Sequence, residues 1–124
     1  MTARKPKRPP NRTQLLARCD LLFGRIVRHA GRCENCDSTE FLQCAHGFSR
    51  SYRTVRWDRR NAFCLCRGCH VYFTHRPLEW DQWLQDRWGD SLYAELRGLA
   101  LTHRPPDLVE LAAELSLTWA TLKD

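Results

Sequence analysis

Apolar residues recur at intervals of three and four between residues 13 and 30, where Leu15, Leu16, Cys19, Leu22, Phe23, Ile26, Val27 and Ala30 are interleaved with Arg18, Arg25 and Arg28. This spacing predicts an amphipathic helix over 13–31, capped by Asn11 or Thr13 and stopped by Gly31. Residues 40–48 and 53–57 then read as two short strands of one hairpin, joined by the Gly/Ser/Arg loop 47–51. Residues 66–74 read as a helix that carries His70 and packs Val71, Tyr72 and Phe73, with Pro77 ending it. Helical periodicity resumes at 78–84, breaks at Gly89 and continues through Leu92, Tyr93, Leu96, Leu99 and Ala100 to a second break at Pro105-Pro106. A last helix is expected from about Asp107, with Leu108, Val109, Leu111, Ala112, Leu115, Trp119 and Leu122 as its apolar face. Trp80, Trp83 and Trp88 sit at helical spacing and are expected in the core. The pattern is that of a small α+β domain, helix-rich overall, over 13–124: a core at 32–77 flanked by an N-terminal helix and C-terminal helices at 78–124.

Residues 1–12 have no such pattern. They hold Arg4, Lys5, Lys7, Arg8 and Arg12 among Pro6, Pro9 and Pro10, and read as a disordered basic arm. No N-terminal apolar run marks a signal peptide, and no stretch of about 18 apolar residues is present to span a membrane. A cytoplasmic chain is expected, and in that compartment thiols bind metal in preference to forming disulfides.

The cysteines sharpen the picture. Cys33/Cys36 and Cys66/Cys69 form two Cys-x-x-Cys pairs separated by 29 residues. Each pair presents two sulfurs on one side of a tight turn, and two pairs complete the tetrahedron that a structural Zn²⁺ requires. The intervening stretch is longer than the roughly 15–20 residues of a minimal two-knuckle finger, which leaves room for the hairpin. A chain of 124 residues gains substantially from such a staple. Cys19, Cys44 and Cys64 lie outside the tetrad and read as small buried hydrophobes.

The net charge of +6 conceals an asymmetry. Residues 1–77 hold 16 Lys/Arg against 5 Asp/Glu, whereas residues 78–124 hold 4 against 9. The half with the cysteine pairs is therefore the basic half, and its field favours a polyanionic partner, with nucleic acid the default. Arg50, Arg53, Arg56, Arg59 and Arg60 cluster between the two expected knuckles, and at least some of them, with Arg4, Lys5, Lys7 and Arg8 of the arm, are expected to contact DNA phosphates, simple solvation being the alternative.

Phe41-Leu42-Gln43-Cys44-Ala45-His46, then Trp57-Asp58-Arg59-Arg60-Asn61, then Leu65-Cys66-Arg67-Gly68-Cys69-His70 resembles the zinc-containing HNH endonuclease motif over about residues 33–76. Asn61 precedes Cys66 by five residues and His70 follows Cys69 directly, as in that pattern. Tyr72, Trp80 and Arg87-Trp88-Gly89 are placed as in the phage NinG-like recombination nucleases, a resemblance reaching about residue 97. The resemblance implies a ββα-metal core and cleavage of DNA in a bacterial or phage-infected cell. By it, His46 is the general base, Asn61 braces the loop or the phosphate, and His70 ligates a catalytic divalent ion, Mg²⁺ or Mn²⁺.

Many members of that family carry an acidic ligand immediately before the first His, where this chain has Ala45. The ion would then rest on His70, with His75 or Asn61 and phosphate oxygens, unless His46 is itself a ligand. Cys44 shares a strand face with His46 by alternation, so a soft ligand and a buried filler are both open. His29 and His103 are expected to have no catalytic role. The competing class is a non-catalytic zinc-finger module or regulator that binds nucleic acid through the same basic surface. The flanking amphipathic helices leave a homodimer open.

Overall fold

The computed structural model describes residues 8–124 and has four helices and a two-stranded antiparallel sheet, a helix-rich α+β architecture. Within the expected basic arm, Arg4, Lys5 and Lys7 lie outside the described residues, and Arg8 is exposed irregular chain. Helix α1 (Arg12–Arg28) begins one residue earlier than expected because Asn11 and Gln14 form a reciprocal capping box, each side chain satisfying the other's backbone N–H. Gly31, at φ +77°, turns the chain away at the far end.

Strand β1 (Leu42–His46) pairs with β2 (Ala62–Cys66) in a register that sets Cys44 opposite Cys64 and His46 opposite Ala62. The second strand is thus not at 53–57. That segment lies in a run of three-residue turns, in which Tyr52, Val55, Asp58 and Asn61 donate their N–H groups to Ser49, Tyr52, Val55 and Asp58 in succession. Ala62-Phe63-Cys64-Leu65-Cys66 is instead a continuous apolar run, and Phe63, Cys64 and Leu65 are all buried. A strand covered on both faces shows no alternation, which is why 53–57 looked the better candidate.

The two faces explain the burial. On one, Cys64 packs with Cys19, Leu22, Phe23, Ile26 and Val27 of α1 and with Leu111, Ala112 and Leu115 of α4 (Leu108–Lys123). On the other, Ala45, Phe63 and Leu65 pack with Phe73 of α2 (Arg67–Thr74) and Leu84 of α3 (Pro77–Ala100). Trp80, Trp83 and Trp88 join this second cluster, with Trp80 and Trp83 stacked at 5.0 Å. Pro77 opens α3, where its missing N–H costs nothing. Gly89, at φ +78° and ψ 166°, kinks that helix where the periodicity breaks. Val109 and Leu122 are exposed, contrary to the expected apolar face of α4. The α1 contacts of that helix run from Leu108 to Trp119, which meets His29 just past the end of α1, so Leu122 projects beyond it. Among the described residues no helix is long and apolar enough to cross a membrane.

Asn61 is the one buried polar side chain among the described residues, and it ties the inter-strand loop to the base of β2. Its Oδ1 accepts from the Phe48 N–H at 2.7 Å, and its Nδ2 donates to the carbonyls of Phe48 and Val55 at 3.0 and 3.1 Å. Its backbone carbonyl accepts from Gly47. A Cβ at Gly47 would lie 2.6 Å from the Trp88 ring and 2.8 Å from Asn61 Oδ1, so only glycine fits there. Asn61→Ala would orphan three backbone groups, and a loss on the order of 3 kcal/mol of stability is expected, read from the urea unfolding midpoint.

Candidate functional site

The four tetrad sulfurs lie within 4.8 Å of one another, with Cys36 and Cys66 Sγ 3.6 Å apart. That is too far for a disulfide and near the edge of about 3.8 Å of a tetrahedron with metal–sulfur bonds of about 2.3 Å. The knuckles are built to converge. Asp37, at φ +65°, turns the first, with its N–H on the Cys33 carbonyl. Glu34 and Cys64 exchange bonds, the Glu34 N–H donating to the Cys64 carbonyl and the Cys64 N–H to Glu34 Oε2. Arg87 and Trp83 of α3 hold the same turn through Glu34 and Asn35. Cys66 caps α2, its sulfur accepting from the Cys69 N–H, and Asn35 Nδ2 donates to Cys69 Sγ at 3.2 Å. Burial works against ionising Cys33, but N–H groups of Cys66, Cys36 and Asn35 bring its thiol down to about 7. Burial pushes Cys69 up to about 12. Four adjacent thiols ionise together only when a cation offsets their repulsion, so the donor set fits a structural zinc ion.

A second site lies along the outer edge of β1. A cleft of about 870 Å³ opens there between α1 and α2, lined by Asp20, Phe23 and Arg28 from α1, Gln43, Cys44 and His46 from β1, Arg50 from the loop, and His70 and Thr74 from α2. His46 and His70 also share a smaller adjoining recess of about 70 Å³ over Ala45, Leu65 and Trp80. The fold thus brings both histidines into one cavity. Asn61 stands behind it, bracing the loop.

The imidazoles differ in the nitrogen that each leaves free. His46 Nε2 is 2.8 Å from the Arg56 carbonyl, which only accepts, so Nε2 carries the proton and Nδ1 has the lone pair. The ring also stacks on Phe23 at 5.9 Å. His70 Nδ1 is 2.7 Å from Gln43 Oε1, again an acceptor, so Nδ1 is protonated and Nε2 is free. Burial lowers the pKa of both rings; at His46 the Arg56 carbonyl opposes that and Arg50 adds to it. Both are neutral bases near pH 7.

Other expected residues are dispersed. His75 is exposed at the C-terminus of α2 and is not among the residues lining the cleft. Of the five loop arginines, only Arg50 lines it. Arg56 turns inward onto Asp20, Arg60 pairs with Asp58 and Glu95, Arg59 lines a separate groove, and Arg53 is half-buried. Cys44 lies in the cleft wall, and burial pushes its thiol up to about 11, an apolar filler's behaviour. Cys19 and Cys64 are fully buried. The contribution of α1 was not foreseen. Its signals were Asp20, a lone acid among Arg18, Arg25 and Arg28, and Gly24, a poor helix former in mid-helix.

Comparison with protein-family models, with curated proteins and with solved structures finds no match for this chain.

Two expectations follow. Cys66→Ser should lower the zinc content of the purified protein from about one equivalent and unfold the knuckles, measured by metal analysis and circular dichroism; full stoichiometry and stability would refute the tetrad. At Gly24, an added Cβ would sit 2.8 Å from Arg28 Nη1, the mobile end of a long side chain. Gly24→Ala should therefore raise thermal stability through a helix propensity gain of up to about 1 kcal/mol while displacing the guanidinium and weakening polyanion binding.

Proposed function

We propose that this chain is a metal-dependent DNA endonuclease of the zinc-containing HNH type, with a ββα-metal core, acting in phage-type recombination or DNA processing as the NinG-like nucleases do. The observation that carries this reading is the pair of imidazoles in one cleft, each hydrogen-bonded through a different nitrogen, His46 with Nδ1 available and His70 with Nε2 available. Phosphodiester hydrolysis needs one neutral base and one metal ligand, and the two rings supply them. His46 Nδ1 takes a proton from water as the water oxygen bonds to phosphorus, and the bond from phosphorus to the leaving sugar oxygen breaks. A divalent ion held by His70 and phosphate oxygens, Mg²⁺ or Mn²⁺, would supply Lewis-acid stabilisation of the charge on the phosphate and leaving oxygen. Gln43 fixes the His70 ring for that role, the usual arrangement for a ligating histidine. Arg28 and Arg50 line the same cleft, are in no ion pair among the described residues, and bind the backbone phosphates. Asn61 positions the loop and touches no substrate.

A second reading, a zinc-finger module that binds DNA without cutting it, is favoured by one feature. The single carboxylate in the cleft wall, Asp20, is already engaged by Arg56 and Trp57, and Ala45 offers no ligand. A nicking assay on plasmid and branched DNA, with and without Mg²⁺ or Mn²⁺, separates the two. Under the nuclease reading, His46→Ala should cut cleavage by a factor on the order of 10² or more while DNA affinity and zinc content survive. His70→Ala should lose activity through metal affinity, so excess Mn²⁺ should restore it in part. Undiminished cleavage by His46→Ala would sink the mechanism, and rescue of that variant by metal would recast His46 as a ligand.

A further inference from the structure

Asp20 lies one helical turn before Phe23 on α1, and both reach His46 by different routes. Its carboxylate accepts three bonds: from Arg56 Nε at 3.1 Å, from Arg56 Nη2 at 2.5 Å and from Trp57 Nε1 at 2.9 Å. A bidentate arginine pair with an added indole donor fixes direction as well as distance. The pair is mostly covered, with 14% of the Arg56 and 28% of the Asp20 side chain exposed. The residue so clamped is the one whose carbonyl receives the His46 Nε2 proton. Its neighbour Val55 is held from the other direction by Asn61 Nδ2.

We infer that Asp20 is a positioning residue for His46: by clamping the Arg56 and Trp57 side chains it fixes the Arg56 carbonyl that selects the Nε2-protonated ring and leaves Nδ1 facing the chemistry. The inference rests on the nuclease reading for its consequence in catalysis, but not for its effect on the ring. The tautomer of a histidine is set by the hydrogen bonds that its ring nitrogens make, and the Arg56 carbonyl is the partner of the His46 ring, so the tautomer depends on that acceptor staying in place. The clamp also makes α1 part of the active site, since Asp20 and Phe23 both belong to it.

The test is Asp20→Asn, which keeps the shape but turns one oxygen into an amide that points N–H groups at Arg56 Nη2. Zinc content and DNA affinity should be retained, kcat should fall about tenfold with KM unchanged, and ¹⁵N spectra of the His46 ring should change from the Nε2-protonated tautomer to a mixture. Trp57→Phe removes one donor to the same carboxylate with little loss of volume, and should move both readouts in the same direction by a smaller amount. If Asp20→Asn fails to fold, as judged by zinc loss, Trp57→Phe decides. An unchanged tautomer and rate in a folded variant would overturn the clamp while leaving the nuclease reading intact. Wild-type protein that cuts no DNA under any metal would overturn the nuclease reading, and the tautomer change alone would then decide the clamp.

Discussion

The Asn61 carboxamide is the constraint on which the rest of the cleft depends. A loop of fifteen residues separates β1 from β2, and it contains no regular structure beyond successive turns and a single 3₁₀ turn, Arg59–Asn61. Those turns pair backbone groups only three residues apart. Asn61 reaches across it to Phe48 and Val55, and its main chain takes the Gly47 N–H, so the loop closes on one side chain. The lack of a side chain at Gly47 lets Trp88 and the carboxamide approach, and the Trp80 indole then donates to the Gly47 carbonyl. Helix α3 thereby registers the loop against the sheet.

A two-stranded sheet has too little surface to fold alone, and here it is covered on both faces. The division of labour follows from that. The α1/α4 side contributes Phe23 and Asp20 to the surroundings of His46, while the α2/α3 side contributes His70 and the tryptophan layer. The cysteine tetrad sits where the segment before β1 meets the junction of β2 and α2, so the same staple that closes the knuckles also fixes the start of the helix carrying His70. The cleft and the tetrad share α2 and the strands but no side chains.

The positive half of the chain is less uniform in space than along the sequence. Arg56 and Arg60 are spent on internal carboxylates, and Arg59 lies in a different groove, so the cleft draws its charge from Arg50 and from Arg28 of α1. Linear clustering told correctly that the region is basic. It did not tell which guanidinium groups are available, because pairing depends on partners such as Asp20 and Glu95, each 35 residues or more away in sequence.

Much of the molecule was legible from the chain alone. The four cysteines, the helices at both ends and the break at Gly89 follow from spacing, since each depends on neighbours within a few turns or on a fixed metal geometry, whereas the meeting of His46 with His70 was implied only by the resemblance to the HNH motif. The position of the second strand was not legible: Ala62–Cys66 is apolar throughout, and only coverage of both faces by helices makes that pattern a strand. The choice of ring nitrogen at His46 and His70 likewise required the fold, because it turns on contacts with Arg56 and Gln43 that no periodicity encodes, and His75 falls outside the cleft because it is exposed at the C-terminal end of α2. The sequence by itself determined which residue types were at hand and which local elements would carry them. Only the tertiary structure decided which lone pairs and charges remain free in the cleft, because hydrogen-bond and ion-pair partners are assigned by packing between distant segments.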